Sequence, residues 1–207
     1  MASRRPANPI KLYRFKLSGH CHRVELFLSL LGLPWENVDI DLPGKEQKTP
    51  AFLALNPFGQ VPVIDDNGYV LGDSNAILVY LALEYGEPAW LPRDSAGAAA
   101  VQRWLSVAAG PLAFGPAAAR VARMFKQPDN EPAMARARDL LTVMNGWLEK
   151  TAFLAAATPT IADIALYTYV AHAPEGGVGL EDYPHVGAWL ARVEAMPGFL
   201  PMVKFAP

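Results

Sequence analysis

Residues 56–74 read NPFGQVPVIDDNGYVLGDS, and this short stretch holds a turn, a hairpin and the start of a helix. Asn56-Pro57-Phe58-Gly59 has the Asn-Pro and Gly chemistry of a turn. Val61-Pro62-Val63-Ile64 is an apolar strand, and Asp65-Asp66-Asn67-Gly68 carries the Asn-Gly pair of a tight hairpin. Tyr69-Val70-Leu71 is the return strand, and Gly72-Asp73-Ser74 breaks it and opens a helical pattern. Pro62 has no N–H for a sheet ladder, which disfavours a central strand. Two arrangements answer this: a trans proline on an edge strand, or a cis Val61–Pro62 bond that turns the chain and leaves the backbone groups of Val61 free for a ligand. Asp73-Ser74 is N-cap chemistry. Backbone N–H groups at a helix start also bind carboxylates, and the neighbouring acid suits a ligand with both an ammonium and a carboxylate, as in an amino-acid head group.

Upstream, Ile10–Phe15 alternates apolar and polar residues at the period of a strand. Ser18-Gly19 interrupts it, and Val24, Leu26, Phe27, Leu30 and Leu31 then fall at helical spacing until Gly32 and Pro34 end the run. Trp35–Ile40 is a second strand, Pro43–Lys48 a polar loop, Pro50–Leu55 a short helix, and Ser74–Tyr85 a longer one. A β-α-β unit followed by a hairpin and a helix makes a small mixed sheet with helices packed on it, the order of a thioredoxin-like domain. Gly86–Asp94 is rich in breakers and reads as a linker, and no strand signal follows. Helices are expected over Ala96–Phe125, kinked around Gly110-Pro111 and Gly115-Pro116, then over Met134–Phe153, Thr160–Ala173, and from Asp182 or Tyr183 to Met196. The expected fold class is therefore α/β plus all-α: a thioredoxin-like domain over residues 10–86 and a helical-bundle domain over residues 95–207.

The chain has 207 residues, 52% of them hydrophobic and 18% charged, enough to bury a core. Eighteen basic and 20 acidic residues leave a net charge of −2, so no basic excess points to nucleic acid or to a membrane surface. The single cysteine excludes an internal disulfide framework and fits a reducing, cytoplasmic compartment. Residues 1–9 lack the apolar run of a signal peptide and read as a floppy leader. No unbroken apolar run of about 18 residues predicts a membrane span.

V-P-V-I, a hairpin, then G-D-S at a helix start resembles the glutathione-binding half of the cytosolic glutathione S-transferase family. Thr160-Ile161-Ala162-Asp163 matches the S/T-x-x-D capping element of that family's last core helix, so the likeness runs over roughly residues 10–204. The resemblance implies that Pro62 is cis, that Val61 pairs its backbone with the cysteinyl part of glutathione, and that Asp73 and Ser74 hold the γ-glutamyl end. The family more often has Glu at the position of Asp73. It also implies that Gln47 and Lys48 reach the glycine carboxylate, with Gln60 beside Val61 as a further contact, and that two chains form a two-fold homodimer.

Ser18-Gly19-His20-Cys21 lies where thioredoxin-like redox proteins hold C-x-x-C. With serine first, no internal disulfide can form. A hydroxyl at a helix N-terminus can instead donate to an incoming thiolate, and the helix dipole favours that charge. Such placement lowers a thiol pKa into the ~3.5–7.5 range and makes glutathione a nucleophile at neutral pH. Ser18 is the catalytic candidate, in the manner of the theta-like, serine-type classes. Cys21 is its rival, and is otherwise an inert buried thiol. His20 and His22 flank that cysteine without the spacing of a zinc site, so no metal is expected. Trp104, Val107, Phe114, Met124 and Phe125 are the candidates for an apolar electrophile pocket, and Arg120, Arg123 and Lys126 read as a solvated basic stripe.

The expected activity is attack of activated glutathione on a hydrophobic electrophile or a peroxide. The alternatives are a glutathione-dependent disulfide oxidoreductase and a non-catalytic interaction module of the same fold.

Overall fold

The computed structural model describes residues 5–205, which form two compact units. Residues up to Pro88, joined by Pro197–Val203, make the first, and Ala89–Met196 with the residues beyond Val203 make the second. The Pro197–Val203 segment, counted with the second domain from the sequence, thus packs in the first unit. There His22 Nε2 lies 2.8 Å from the Leu200 carbonyl, and the Ser29 hydroxyl donates to the Gly198 carbonyl at 2.6 Å.

The first unit runs β1 (Ile10–Arg14), α1 (Gly19–Leu30), β2 (Trp35–Asp39), α2 (Pro50–Leu55), β3 (Val63–Asp66), β4 (Tyr69–Gly72) and α3 (Ser74–Glu84). The sheet order is β2-β1-β3-β4. β1 pairs parallel with β2, as a β-α-β crossover requires, while β3 pairs antiparallel with both β1 and β4. Ile10, Leu12, Val63 and Ile64 on the two central strands are fully buried. Tyr13 packs edge-on against Phe52, with ring centroids 6.5 Å apart.

Asn67 and Gly68 both take positive φ, 54° and 96°, as the two-residue hairpin turn demands. The Val61–Pro62 bond is cis, and Pro62 stands just ahead of β3. The strand is therefore central without a proline in its ladder, which removes the edge-strand arrangement. Asp66, nearly buried, accepts from the Tyr80 and Tyr85 hydroxyls at 2.8 and 2.5 Å and so ties the hairpin to α3.

Of the expected floppy leader, residues 1–4 lie outside the described residues. The rest is held: Arg5 donates to the Gly32 carbonyl, and the Asn8 amide donates to Asn67 Oδ1 at 2.8 Å.

The second unit contains α4 (Ser95–Val107), a π-helical segment (Ala108–Ala117), α5 (Ala118–Met124), α6 (Glu131–Leu148), α7 (Ile161–Ala171) and α8 (Pro184–Glu194). The expected kink is this π segment, which carries Pro111 and Pro116. Prolines lack the N–H that an α-helix interior uses, and the wider π turn accommodates them without breaking the run. Ser95–Met124 is by length and composition apolar enough to cross a membrane, but half of its apolar window is buried within the protein. Val101, Trp104, Leu105 and Leu112 from it belong to the core.

α6 starts three residues ahead of the sequence reading, because Asn130 caps it through Ala133 N and Pro132 sits in its first turn, where its missing N–H is harmless. The basic stripe is corrected too. Arg120 is 1% exposed and pairs with Glu175 at 2.8 Å, and Arg123 pairs with Asp129 at 2.8 Å. Glu175, which pairs with the buried Arg120, comes from distant sequence, which residue spacing on one helix cannot show, whereas Arg123 stays partly exposed beside a partner six residues on.

α7 is the axis of this unit, with every residue from Ile161 to Val170 buried. Its capping box is complete: Thr160 Oγ1 accepts from Ala162 N at 3.2 Å, and Asp163 Oδ2 accepts from Thr160 N at 2.9 Å. Asp163 Oδ1 also accepts from Leu154 N and from the Trp189 indole, each at 2.9 Å. One buried carboxylate therefore joins the start of α7, the chain ahead of it and α8.

Candidate active site

Ser18 caps α1, with extended backbone (φ −83°, ψ 118°), and its Oγ accepts weakly from Cys21 N at 3.4 Å. The hydroxyl also hydrogen-bonds the Cys21 side chain, and as a free rotor it can turn its proton to a ligand instead. Ser18 opens onto a cavity of about 410 Å³ within the first unit. The cavity is lined by Ser18, Gln47, Lys48, Gln60, Val61, Pro62, Asp73 and Ser74, all drawn from separate places in the sequence reading, together with His20, Leu42 and Gly59.

Three loops and two helix starts bring these residues together. The Lys48 ammonium donates to the carbonyls of Phe58 and Gly59 at 3.1 and 3.0 Å. It thereby clamps the Asn56–Gly59 turn to the loop before α2 while keeping its charge beside the cavity. Gly59 (φ +59°) is needed here, because a Cβ would meet Lys48 Nζ at 2.6 Å and the Gln47 carbonyl at 2.8 Å. Asn56, nearly buried, completes the turn: its amide donates to the Gln60 carbonyl at 2.8 Å, and its Oδ1 accepts from Phe58 N at 3.1 Å. The Gln47 Oε1 atom is buried and has no hydrogen-bond partner among the described residues, which makes it an acceptor ready for a ligand donor.

Asp73 caps α3 by accepting from Ala76 N at 2.9 Å. It holds φ at +71°, a conformation that costs a non-glycine residue about 1–3 kcal/mol and concentrates at ligand sites. Ser74, the first residue of α3, is nearly buried; its Oγ accepts from Arg23 Nη1 at 3.2 Å and lies 3.4 Å from His20 Nδ1. Burial and, secondarily, the Arg23 charge lower the His20 pKa to about 3, so the imidazole is neutral at physiological pH.

Cys21 adjoins Ser18 but does not line the cavity. It is fully buried, its Sγ accepts from Phe15 N at 3.4 Å, and burial pushes its thiol up to about 12. His20, Cys21 and His22 point to three different partners: Ser74, Phe15 and Leu200. Because the folded protein holds the Cys21 proton to about 12 while an unfolded cysteine releases it near 9, this group's stabilisation is complete below pH 9 and fades as pH rises from 9 toward 12. The stability of wild type is therefore expected to fall by about 1.4 kcal/mol per pH unit more steeply than that of Cys21→Ala above pH 9, read as urea midpoints. Equal slopes would show an accessible, ordinary thiol.

His20, which the sequence reading favours as a solvated residue, lines the cavity, and Asn56, read from its Asn-Pro pair as a turn residue, also ties that turn together through its side chain. Sequence reasoning missed Arg23, which helical periodicity places no more specifically than any polar residue. In the second unit, Trp104, Val107 and Phe114 line an apolar cavity of about 830 Å³ together with Arg103, Pro111 and Trp147, whereas Met124 and Phe125 take no part in it.

A thioredoxin-like sheet with a cis-proline turn, a hydroxyl capping α1 and an α3 that starts at the cavity, followed by a helical unit, defines a glutathione transferase-like architecture. The glutathione S-transferase N-terminal domain family matches residues 17–84, and the C-terminal domain family matches residues 101–197. The chain is 35% identical to glutathione S-transferase 3 of Zea mays over 96% of its own length and 95% of that protein's. It is 30% identical to glutathione S-transferase theta-3 of Mus musculus, over 91% and 83%. Among solved structures, the glutathione S-transferase of Pseudomonas fluorescens superposes with a TM-score of 0.89 at 35% identity, covering 95% of this chain and all of that one. A possible glutathione S-transferase of Rhodopseudomonas palustris does so with a TM-score of 0.85, also at 35% identity, over 97% of this chain and all of that one. The chain belongs to the glutathione S-transferase family.

Proposed function

We propose that this protein is a serine-type glutathione transferase that binds reduced glutathione in the cavity of the first unit and activates its sulfur through Ser18. The observation that carries this reading is the convergence of Ser18, Val61, Pro62, Asp73 and Ser74, with Gln47, Lys48 and Gln60, on one cavity. Glutathione is a tripeptide with carboxylates at both ends. The α3 start and Ser74 suit the γ-glutamyl carboxylate, Lys48 and Gln47 suit the glycine end, and the backbone of Val61 suits the peptide between them. Asp73 supplies the negative charge for the ammonium, although its Oδ1 also caps α3.

The Ser18 hydroxyl and the start of α1 favour the thiolate over the thiol, and the proton passes to solvent. The thiolate sulfur forms a C–S bond with an electrophilic carbon as its leaving group departs with the displaced electron pair. With a peroxide, the sulfur attacks oxygen, the O–O bond breaks, and a second glutathione completes the disulfide. Trp104, Val107 and Phe114 offer the apolar surface proposed for the electrophile.

A homodimer belongs to the same reading, as does a cytoplasmic location. Supporting the homodimer, Phe58 in the first unit is 78% exposed, apolar surface of the kind that interfaces cover.

The test is calorimetric titration with glutathione, a panel assay with aryl halides, hydroperoxides and mixed disulfides, and sedimentation equilibrium. Binding with conjugation or peroxide reduction by a dimer is expected. Disulfide reduction alone would replace the transferase with an oxidoreductase, and no binding would leave an interaction module. A monomer at micromolar concentration would remove the dimer.

A further inference from the structure

Arg23 lies on α1 outside the cavity lining, 1% exposed, one layer behind the anion-binding start of α3. One nitrogen of its guanidinium, Nη1, reaches both of the first two residues of that helix: Ser74 Oγ at 3.2 Å and Asn75 Oδ1 at 2.8 Å. Two consequences follow for Ser74. Arg23 occupies a lone pair of its oxygen, so the hydroxyl proton must point elsewhere. The remaining neighbour within reach among the described residues is His20 Nδ1 at 3.4 Å, a neutral ring nitrogen at the far limit of hydrogen bonding. A carboxylate entering the cavity is a better acceptor for that proton, because charge-assisted bonds are shorter and about twice as strong. The buried guanidinium also sets a full positive charge one atom behind the donor, where low dielectric strengthens its field.

We propose that Arg23 is a positioning residue that makes the start of α3 selective for the α-carboxylate of the γ-glutamyl residue, acting through the Ser74 hydroxyl and the Asn75 carboxamide. This rests on the glutathione-binding reading above. Arg23 touches no substrate; it fixes Ser74 as a donor and holds the charge that the carboxylate meets. Lysine in its place keeps a charge, but on a flexible stem its ammonium is not held by a planar, pre-organised guanidinium at the point where Nη1 meets both acceptors.

The experiment compares dissociation constants for glutathione and for its analogue with 4-aminobutyryl in place of γ-glutamyl, which lacks only that carboxylate, on wild type and Arg23→Lys. Wild type is expected to prefer glutathione. Arg23→Lys is expected to shrink the preference by roughly tenfold, the scale of one hydrogen bond to a charged group, while kcat at saturating glutathione stays within about threefold. A preference unchanged in Arg23→Lys, with both ligands weakened alike, would show that Arg23 merely supports the fold and would overturn the proposal. Should that variant fail to fold, Asn75→Ala removes one of Arg23's two anchors; a reduced preference there upholds the proposal and an unchanged one overturns it. Wild type binding both ligands equally would defeat this inference alone, whereas wild type binding neither would defeat the glutathione reading beneath it.

Discussion

Ser18→Ala is expected to lower kcat/KM for glutathione conjugation by about 10²–10³, the cost of removing one positioned donor to a developing or resident anion. Glutathione affinity measured with the S-methyl derivative should stay within a few-fold of wild type. The asymmetry follows from placement. Ser18 is one of eleven residues lining the cavity, and the contacts proposed for the two ends of the tripeptide come from other loops. What Ser18 alone offers is an O–H at the first turn of α1, on a hydroxyl that can rotate toward a ligand, with the helix dipole behind it. Cys21 cannot take over, since its thiol is fully buried and held protonated. A loss confined to KM would mean that Ser18 binds the ground state without favouring the thiolate. No loss at all would remove it from the chemistry.

The largest effect on stability is expected at Asp163. Its carboxylate receives Leu154 N and the Trp189 indole on one oxygen and Thr160 N on the other, all at 2.9 Å and all buried. Asp163→Ala leaves these donors without an acceptor and opens a void beside α7. Each buried donor left unsatisfied costs about 1–3 kcal/mol, so the three together should cost about 3–5 kcal/mol or more. At roughly 2–4 °C per kcal/mol for a chain of this size, Tm should fall by about 6–20 °C. Thr160→Ala removes only the cap hydroxyl and should cost about 1 kcal/mol. Scanning calorimetry on both variants checks the order; equal losses would mean that the capping box, not the three-way junction, is what Asp163 provides.

These two positions differ in how far the sequence revealed them. The capping box is local, four residues with their own geometry, so Thr160 and Asp163 were legible without any fold. The Asn67-Gly68 hairpin and the Ser18, Pro62 and Ser74 positions were legible for the same reason: each is a short signal tied to a backbone event. What the sequence concealed is long-range. Nothing around residue 163 announces Trp189 or Leu154. Arg120 shares its helix face with Arg123, and only the fold sets Glu175 beside it and buries it. The prolines at 111 and 116 announced a disturbance, but the continuous π-helical solution depends on packing against α6 and α7. The site shows the same division. Its cavity-lining residues could be named from motifs, and Asn56 from its turn, while Arg23, which holds Ser74 in place, became visible only when α1 and α3 were seen together.

The central claim is that the first unit turns glutathione into its thiolate by means of Ser18. The most direct measurement is a pH titration of the thiolate ultraviolet band of glutathione bound to the wild-type protein and to Ser18→Ala. The account predicts a bound-thiol pKa well below that of free glutathione in wild type, and a return toward the free value in the variant. An unshifted pKa in wild type, or an equal depression in both proteins, would contradict it.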